Sequence, residues 1–129
     1  MRALFTVVGL CGLLLMPLPE VADGGASKTR QVGLASWYGK YHQGRKTASG
    51  ERFSRGQLTA AHRSLPLGTK VKVTNLRTKE QVVVKINDRG PYGGGKRRII
   101  DLSEAAAKRI GLHERGTERV QVEVVENAS

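Results

Sequence analysis

Three stretches of this chain, TKVKVTN (69–75), QVVVKIN (81–87) and ERVQVEVV (118–125), alternate β-branched apolar residues with polar ones. A period of two sends successive side chains to opposite faces of a pleated strand, so each stretch has one face to bury and one to wet. VGLASWY (32–38) reads in the same way. Turn signals separate the runs: ASGE (48–51), LPLG (65–68), LRTKE (76–80) and RGPYGGG (89–95). Short strands divided by frequent turns predict a small all-β barrel or sandwich. One helix is predicted in DLSEAAAKRIGL (101–112), with Asp101 as its N-cap, Glu104 completing a capping box and Gly111 ending it. Leu102, Ala106 and Ile110 would line its buried face. SRGQL (54–58) is expected to add a further helical turn.

The chain has 129 residues, enough for one domain that buries about two thirds of its unfolded surface. Residues 1–26 are expected to be a signal peptide: Arg2 precedes the apolar run ALFTVVGLCGLLLMPL, too short for a comfortable membrane span, and the small residues of ADGGAS (22–27) offer cleavage points. Cys11 lies inside that run behind Leu10, where a lipoprotein signal requires a small residue, so the mature chain is expected to hold no cysteine. A short tail (27–31) then leads into a domain spanning 32–126.

Lysine and arginine number 22 against 11 acids, a net charge of +11. Removing residues 1–26 takes away one base (Arg2) and two acids (Glu20, Asp23), leaving 21 bases against 9 acids. Such a field attracts polyanions. Export and the scatter of the bases, with no helix-turn-helix, zinc or aromatic-rich pattern among them, argue against nucleic acid and for anionic material of the cell envelope. His42, His62 and His113 lack ligand spacing, and GGG (93–95) lacks the lysine and hydroxyl residue of a phosphate-binding loop, so neither metal nor cofactor is expected.

Asp88 closes the run VVVKIND (82–88) just before a proline- and glycine-rich loop. Unbroken alternation puts it with Val82, Val84 and Ile86, pointing inward at a barrel rim. A carboxyl half withdrawn from water has its neutral form favoured, as a proton donor to a glycosidic bond requires, while the adjacent Arg89 pulls the other way. The spacing alone favours an Asp that caps the loop by accepting backbone N–H groups. Alone, His62 reads as a surface histidine and Glu51 as a turn acid. Alternation gives Tyr38 to the packing face of Val32 and Leu34, and turns Trp37 toward a ligand.

SWYG (36–39), TAAH (59–62), LPLGT (65–69), VTNL (73–76) and INDRGP (86–91), in this order, resemble the rare lipoprotein A (RlpA) family, and the similarity runs from about Val32 to Val125. The resemblance implies a six-stranded double-psi β-barrel with one or two short helices. It also implies an exported, periplasmic or envelope-associated lytic transglycosylase that cuts peptidoglycan between N-acetylmuramic acid and N-acetylglucosamine, leaves 1,6-anhydro ends and prefers strands without stem peptides. The family's active-site carboxylate falls on Asp88, its histidine on His62 and a second acid on Glu51. Trp37, Ser54, Asn87 and Arg89 are the expected substrate contacts, with Ser54 standing where the family pattern usually has an aspartate. The expected partner is a peptidoglycan glycan strand, met by a monomer that has no C-terminal glycan-targeting repeat. A non-catalytic, expansin-like wall-binding module is the alternative on the same fold.

Overall fold

The computed structural model describes residues 30–38, 42–93, 95 and 97–128. The expected signal segment and most of the tail lie outside them. Among the described residues six strands, β1 (Arg30–Tyr38), β2 (Thr59–His62), β3 (Lys70–Asn75), β4 (Gln81–Asp88), β5 (Arg98–Ser103) and β6 (Glu118–Glu126), and one helix, α1 (Glu104–Arg109), build the fold. The sheet closes in the order β1-β5-β2-β4-β3-β6, with β6 antiparallel to β1. Closure leaves no edge strand to pair with another chain. Two pairings, β1 with β5 and β2 with β4, are parallel, and the others are antiparallel.

Alternation does what the sequence predicts in β3, whose valines Val71 and Val73 are fully buried, and in β4, where Val82, Val84 and Ile86 enter the same core. Ala60, Ile100, Leu102 and Val120 fill it from the remaining strands. Arg30 and Gln31 already pair with Glu123 and Val122, so β1 starts two residues before Val32. Gly33 faces this core through Ile99: an added Cβ would stand 2.7 Å from Ile99 Cγ2 and 3.1 Å from the Arg97 carbonyl.

Two strands are unannounced in the sequence. TAAH is buried at all four positions, and RIIDLS lies between two strands with four of its six residues buried, so neither shows a wet face. Strands enclosed in this way lose the alternating signature. As a result the predicted helix is corrected at its start. Asp101, Leu102 and Ser103 belong to β5, and the N-cap is Ser103, whose side chain accepts from the Ala106 amide. Asp101 is not the cap. Ala106 and Ile110 are buried as expected, and Gly111 follows at φ +73°. SRGQL forms a turn closed by Gln57 N–H to Ser54 O at 3.1 Å, not a helix.

Candidate active site

The expected inward aim of Asp88 is overturned by one irregularity in β4. Ala60 pairs with Ile86, but the next residue, Ala61, pairs with Asp88, so Asn87 is an extra residue in the ladder. A bulge of this kind reverses which face the following side chain takes. Ile86 stays in the main core while Asp88 joins the outer face, in register with Ala61. Ala61 also pairs with Asp101, and Asp101 with Ser36. Asp88, Ala61, Asp101 and Ser36 therefore form one row across four adjacent strands. With strands ~4.8 Å apart, the two aspartate backbones are roughly 10 Å apart with only an alanine between them.

Asp88 is half-buried. Its Oδ1 accepts the backbone N–H groups of Ala48 and Arg89, each at 2.9 Å. Among the described residues no hydrogen bond engages Oδ2. Arg89 braces the loop: its guanidinium donates to the carbonyls of His62 (3.1 Å) and Leu65 (2.7 Å).

Glu51 reaches the same region from the 47–51 turn. It accepts from Lys85 Nζ at 2.6 Å and from Asn87 Nδ2 at 3.1 Å, and these two hydrogen bonds hold its carboxyl below the usual carboxylate range. The Asn87 carbonyl accepts from Ser49 N–H at 3.1 Å, which ties the turn to the bulge. Glu51, Ser49, Lys85 and Asn87 line the polar side of a cleft of about 340 Å³, with Leu67 and Ile86 on its apolar side. Asn87 is buried, and its Oδ1 has no hydrogen-bond partner among the described residues.

His62 does not join this group. Its Nδ1 accepts the backbone N–H groups of Ser64 and Leu65, both at 3.1 Å, and Nε2 meets Gln31 Oε1 at 3.0 Å. Two donors on Nδ1 place the ring proton on Nε2, giving the neutral tautomer. Burial, reinforced by Arg63 and Arg89, lowers its pKa. The ring lines a separate cavity with Arg30, Gln31, Val122 and Val124, and among the described residues no hydrogen bond joins it to Asp88 or Glu51. Its backbone carbonyl reaches the site through Arg89.

Tyr38 packs as expected, though on the outer face, whereas Trp37 does not face a ligand. Alternation in β1 is unbroken, but the face of Val32, which is 48% exposed, is the outer one, so Trp37 lies with Ala35 against the core, where it stacks on His113 at 4.5 Å and donates its indole N–H to the His113 carbonyl at 3.1 Å. Tyr38 takes the outer face with Ser36. It stacks on Phe53 at 4.6 Å and, with Ala61, makes a small apolar cluster apart from the main core. Burial and the negative charge of Asp88 and Asp101 push its hydroxyl pKa up. Ser54 sits in the turn after Phe53 and does not line the Glu51 cleft.

Sequence reasoning missed Asp101, whose position before an alanine-rich run imitates a helix cap, and Lys85, one of many bases. Asp101 Oδ1 accepts from Ser36 Oγ at 2.7 Å, and Arg98 lies 3.6 Å from Oδ2. Burial raises its pKa against the opposing pull of Ser36 and Arg98. Among the described residues no set of three or more His, Cys, Asp or Glu side chains is gathered as a ligand set. What the arrangement offers is carboxyl chemistry around the bulge: Asp88, pinned by one oxygen, and Asp101, its pKa raised by burial, stand in one row, and Glu51, held by Lys85 and Asn87, lines the adjoining cleft.

Residues 30–122 match the family model described as lytic transglycolase. The chain is 50% identical over 121 residues to the probable endolytic peptidoglycan transglycosylase RlpA of Synechocystis, covering 93% of this chain and 37% of that one. It is 50% identical over 97 residues to the endolytic peptidoglycan transglycosylase RlpA of Pseudomonas aeruginosa, covering 75% and 28%. The chain thus spans well under half the length of these relatives. Among solved structures, a variant Clavibacter michiganensis expansin in complex with cellohexaose superposes with a TM-score of 0.61 at 19% identity, covering 78% of this chain and 52% of that one. That likeness supports the closed barrel.

Proposed function

Because this chain belongs to the RlpA family of double-psi β-barrel proteins, we propose that its barrel is a peptidoglycan lytic transglycosylase domain acting outside the cytoplasmic membrane. The observation that carries this reading is Asp88 at the bulge, with one oxygen fixed by two backbone donors and the other available to a ligand.

In the reaction proposed, the C6 hydroxyl of an N-acetylmuramyl residue attacks its own C1, the β-1,4 bond to N-acetylglucosamine breaks, and a 1,6-anhydro end is left. The nucleophile is tethered to the carbon it attacks, so no site for a hydrolytic water is required. Protein carboxyls must move a proton from the attacking hydroxyl and supply one to the departing oxygen. Asp88 Oδ2 is the group placed to exchange it. Glu51, kept ionised by Lys85 and Asn87, supplies negative charge near the cationic sugar of the transition state. Preference for strands without stem peptides is part of the same proposal, and the excess of basic residues would hold the domain near anionic envelope material by salt-sensitive attraction.

Purified glycan strands stripped of stem peptides, incubated with the protein and analysed by mass spectrometry, are expected to yield anhydro-ended fragments. Asp88→Asn keeps an oxygen for the Ala48 and Arg89 amides, so it should stay folded while losing about a hundredfold or more in rate. Absence of fragments from the wild type would overturn the assignment. The second reading, a non-catalytic glycan-binding module, is favoured by Ser54 in place of an acid and by the sugar-bound expansin of similar fold. It is the reading to adopt if glycan pull-down is strong, no fragment forms and Asp88→Asn binds as well as the wild type.

A further inference from the structure

Asp101 stands in the same outer row as Asp88, and with the helix capped by Ser103 it has no role in starting α1. The groups around it come from every neighbouring element. Ser36 on β1 donates to Oδ1, Arg98 on its own strand approaches Oδ2, His42 lies within electrostatic reach, and Ala61 on β2 contributes only a methyl group. Arg63, following β2, donates to the carbonyls of Pro91 and Arg98. Tyr38, one turn of the pleat beyond Ser36, carries a buried hydroxyl that finds no hydrogen-bond partner among the described residues and feels the charge of both Asp88 and Asp101.

A buried hydroxyl with no partner is uncommon and costs stability. This one lies near two carboxyls and keeps its proton across any working pH, which makes it a donor in reserve. We infer that Asp101 is a second catalytic carboxyl of the site, protonating the departing sugar oxygen while Asp88 takes up the proton of the attacking hydroxyl, with Tyr38 as the positioning residue whose hydroxyl, keeping its proton, donates a hydrogen bond to the carboxylate left on Asp101. This rests on the transglycosylase reading above. The step balances: the C1–O bond breaks with its electron pair going to the departing oxygen, which gains the Asp101 proton. The C6 oxygen forms the new bond to C1 and loses its proton to Asp88. Burial of Asp101 raises its pKa against the pull of Ser36, Arg98 and His42.

Three measurements test it: fragment release by the wild type, Asp101→Asn and Tyr38→Phe across mildly acidic to mildly alkaline pH; thermal unfolding of all three; and carboxyl-carbon NMR titration of Asp101 in wild type and Tyr38→Phe without substrate. Asp101→Asn still accepts from Ser36, so it should unfold near the wild-type temperature and turn over about a hundredfold or more slowly. Tyr38→Phe should be no less stable than wild type and should show a several-fold lower kcat at similar KM, with its alkaline limb displaced upward. The Asp101 carboxyl should titrate above the ordinary aspartate range in the wild type and higher still in Tyr38→Phe. An Asp101→Asn protein with wild-type turnover, or an ordinary Asp101 titration, overturns the inference while fragments from the wild type keep the transglycosylase reading intact. If the wild type releases none, both fall. Should Asp101→Asn fail to fold, the titration and the Tyr38→Phe profile decide.

Discussion

Asn87 and Glu51, 36 positions apart in the chain, are joined by a 3.1 Å hydrogen bond from Asn87 Nδ2 to Glu51 Oε1. The same asparagine is the extra residue of the β4 bulge, so one side chain ties the acid of the 47–51 turn to the irregularity that exposes Asp88.

Glu51 therefore makes a pH-dependent contribution to stability. Its folded pKa lies below the unfolded value of 4.5, so the contribution is full above about pH 4.5 and is lost as pH falls through the folded value. The carboxyl is 46% exposed, which limits its bond with Lys85 to at most about 1 kcal/mol. Glu51→Gln should be less stable than wild type at neutral pH, and the difference should vanish in acid. Denaturant midpoints measured at both conditions check this.

For His62 the pattern arises from a base. Its folded pKa is lowered from 6.5, so the unfolded chain binds the proton more readily, and stability falls as pH drops below 6.5. Protonating Nδ1 also breaks the bonds from Ser64 and Leu65. His62→Ala is expected to cost about 1–3 kcal/mol above that pH, by leaving buried donors unsatisfied, and less below it. Urea unfolding a pH unit either side of the ordinary histidine value tests the sign.

Ser103 caps α1, donates to the Gln57 carbonyl at 2.6 Å and meets the Thr59 amide at 3.4 Å. Ser103→Ala should cost about 1–2 kcal/mol, at the upper end for an N-cap. Asp101→Asn should leave the helix intact. Amide hydrogen exchange at Ala105 to Ala107 separates the two: protection falls in the first variant only.

Much of the barrel was legible in the chain because its alternating strands each face water on one side. Where burial is two-sided, as in TAAH and RIIDLS, the pattern vanishes, and the DLSE segment looked like a capped helix. Asp88, Glu51, Asn87 and Arg89 were picked out in sequence, and all four meet through direct hydrogen bonds or adjacent backbone around the bulge.

By itself the sequence determined the strand-forming runs, the turns between them and the chemical identity of the carboxyls, because these follow from local periodicity and from residue type. Tertiary structure alone decided where those groups point. The extra residue Asn87 turned Asp88 to the outer face, while in β1, whose alternation is unbroken, closure of the barrel put the face of Val32 and Tyr38 outside and that of Ala35 and Trp37 against the core. In a period-two chain one extra residue inverts every later side chain, and the slip is set by pairing with strands distant in sequence.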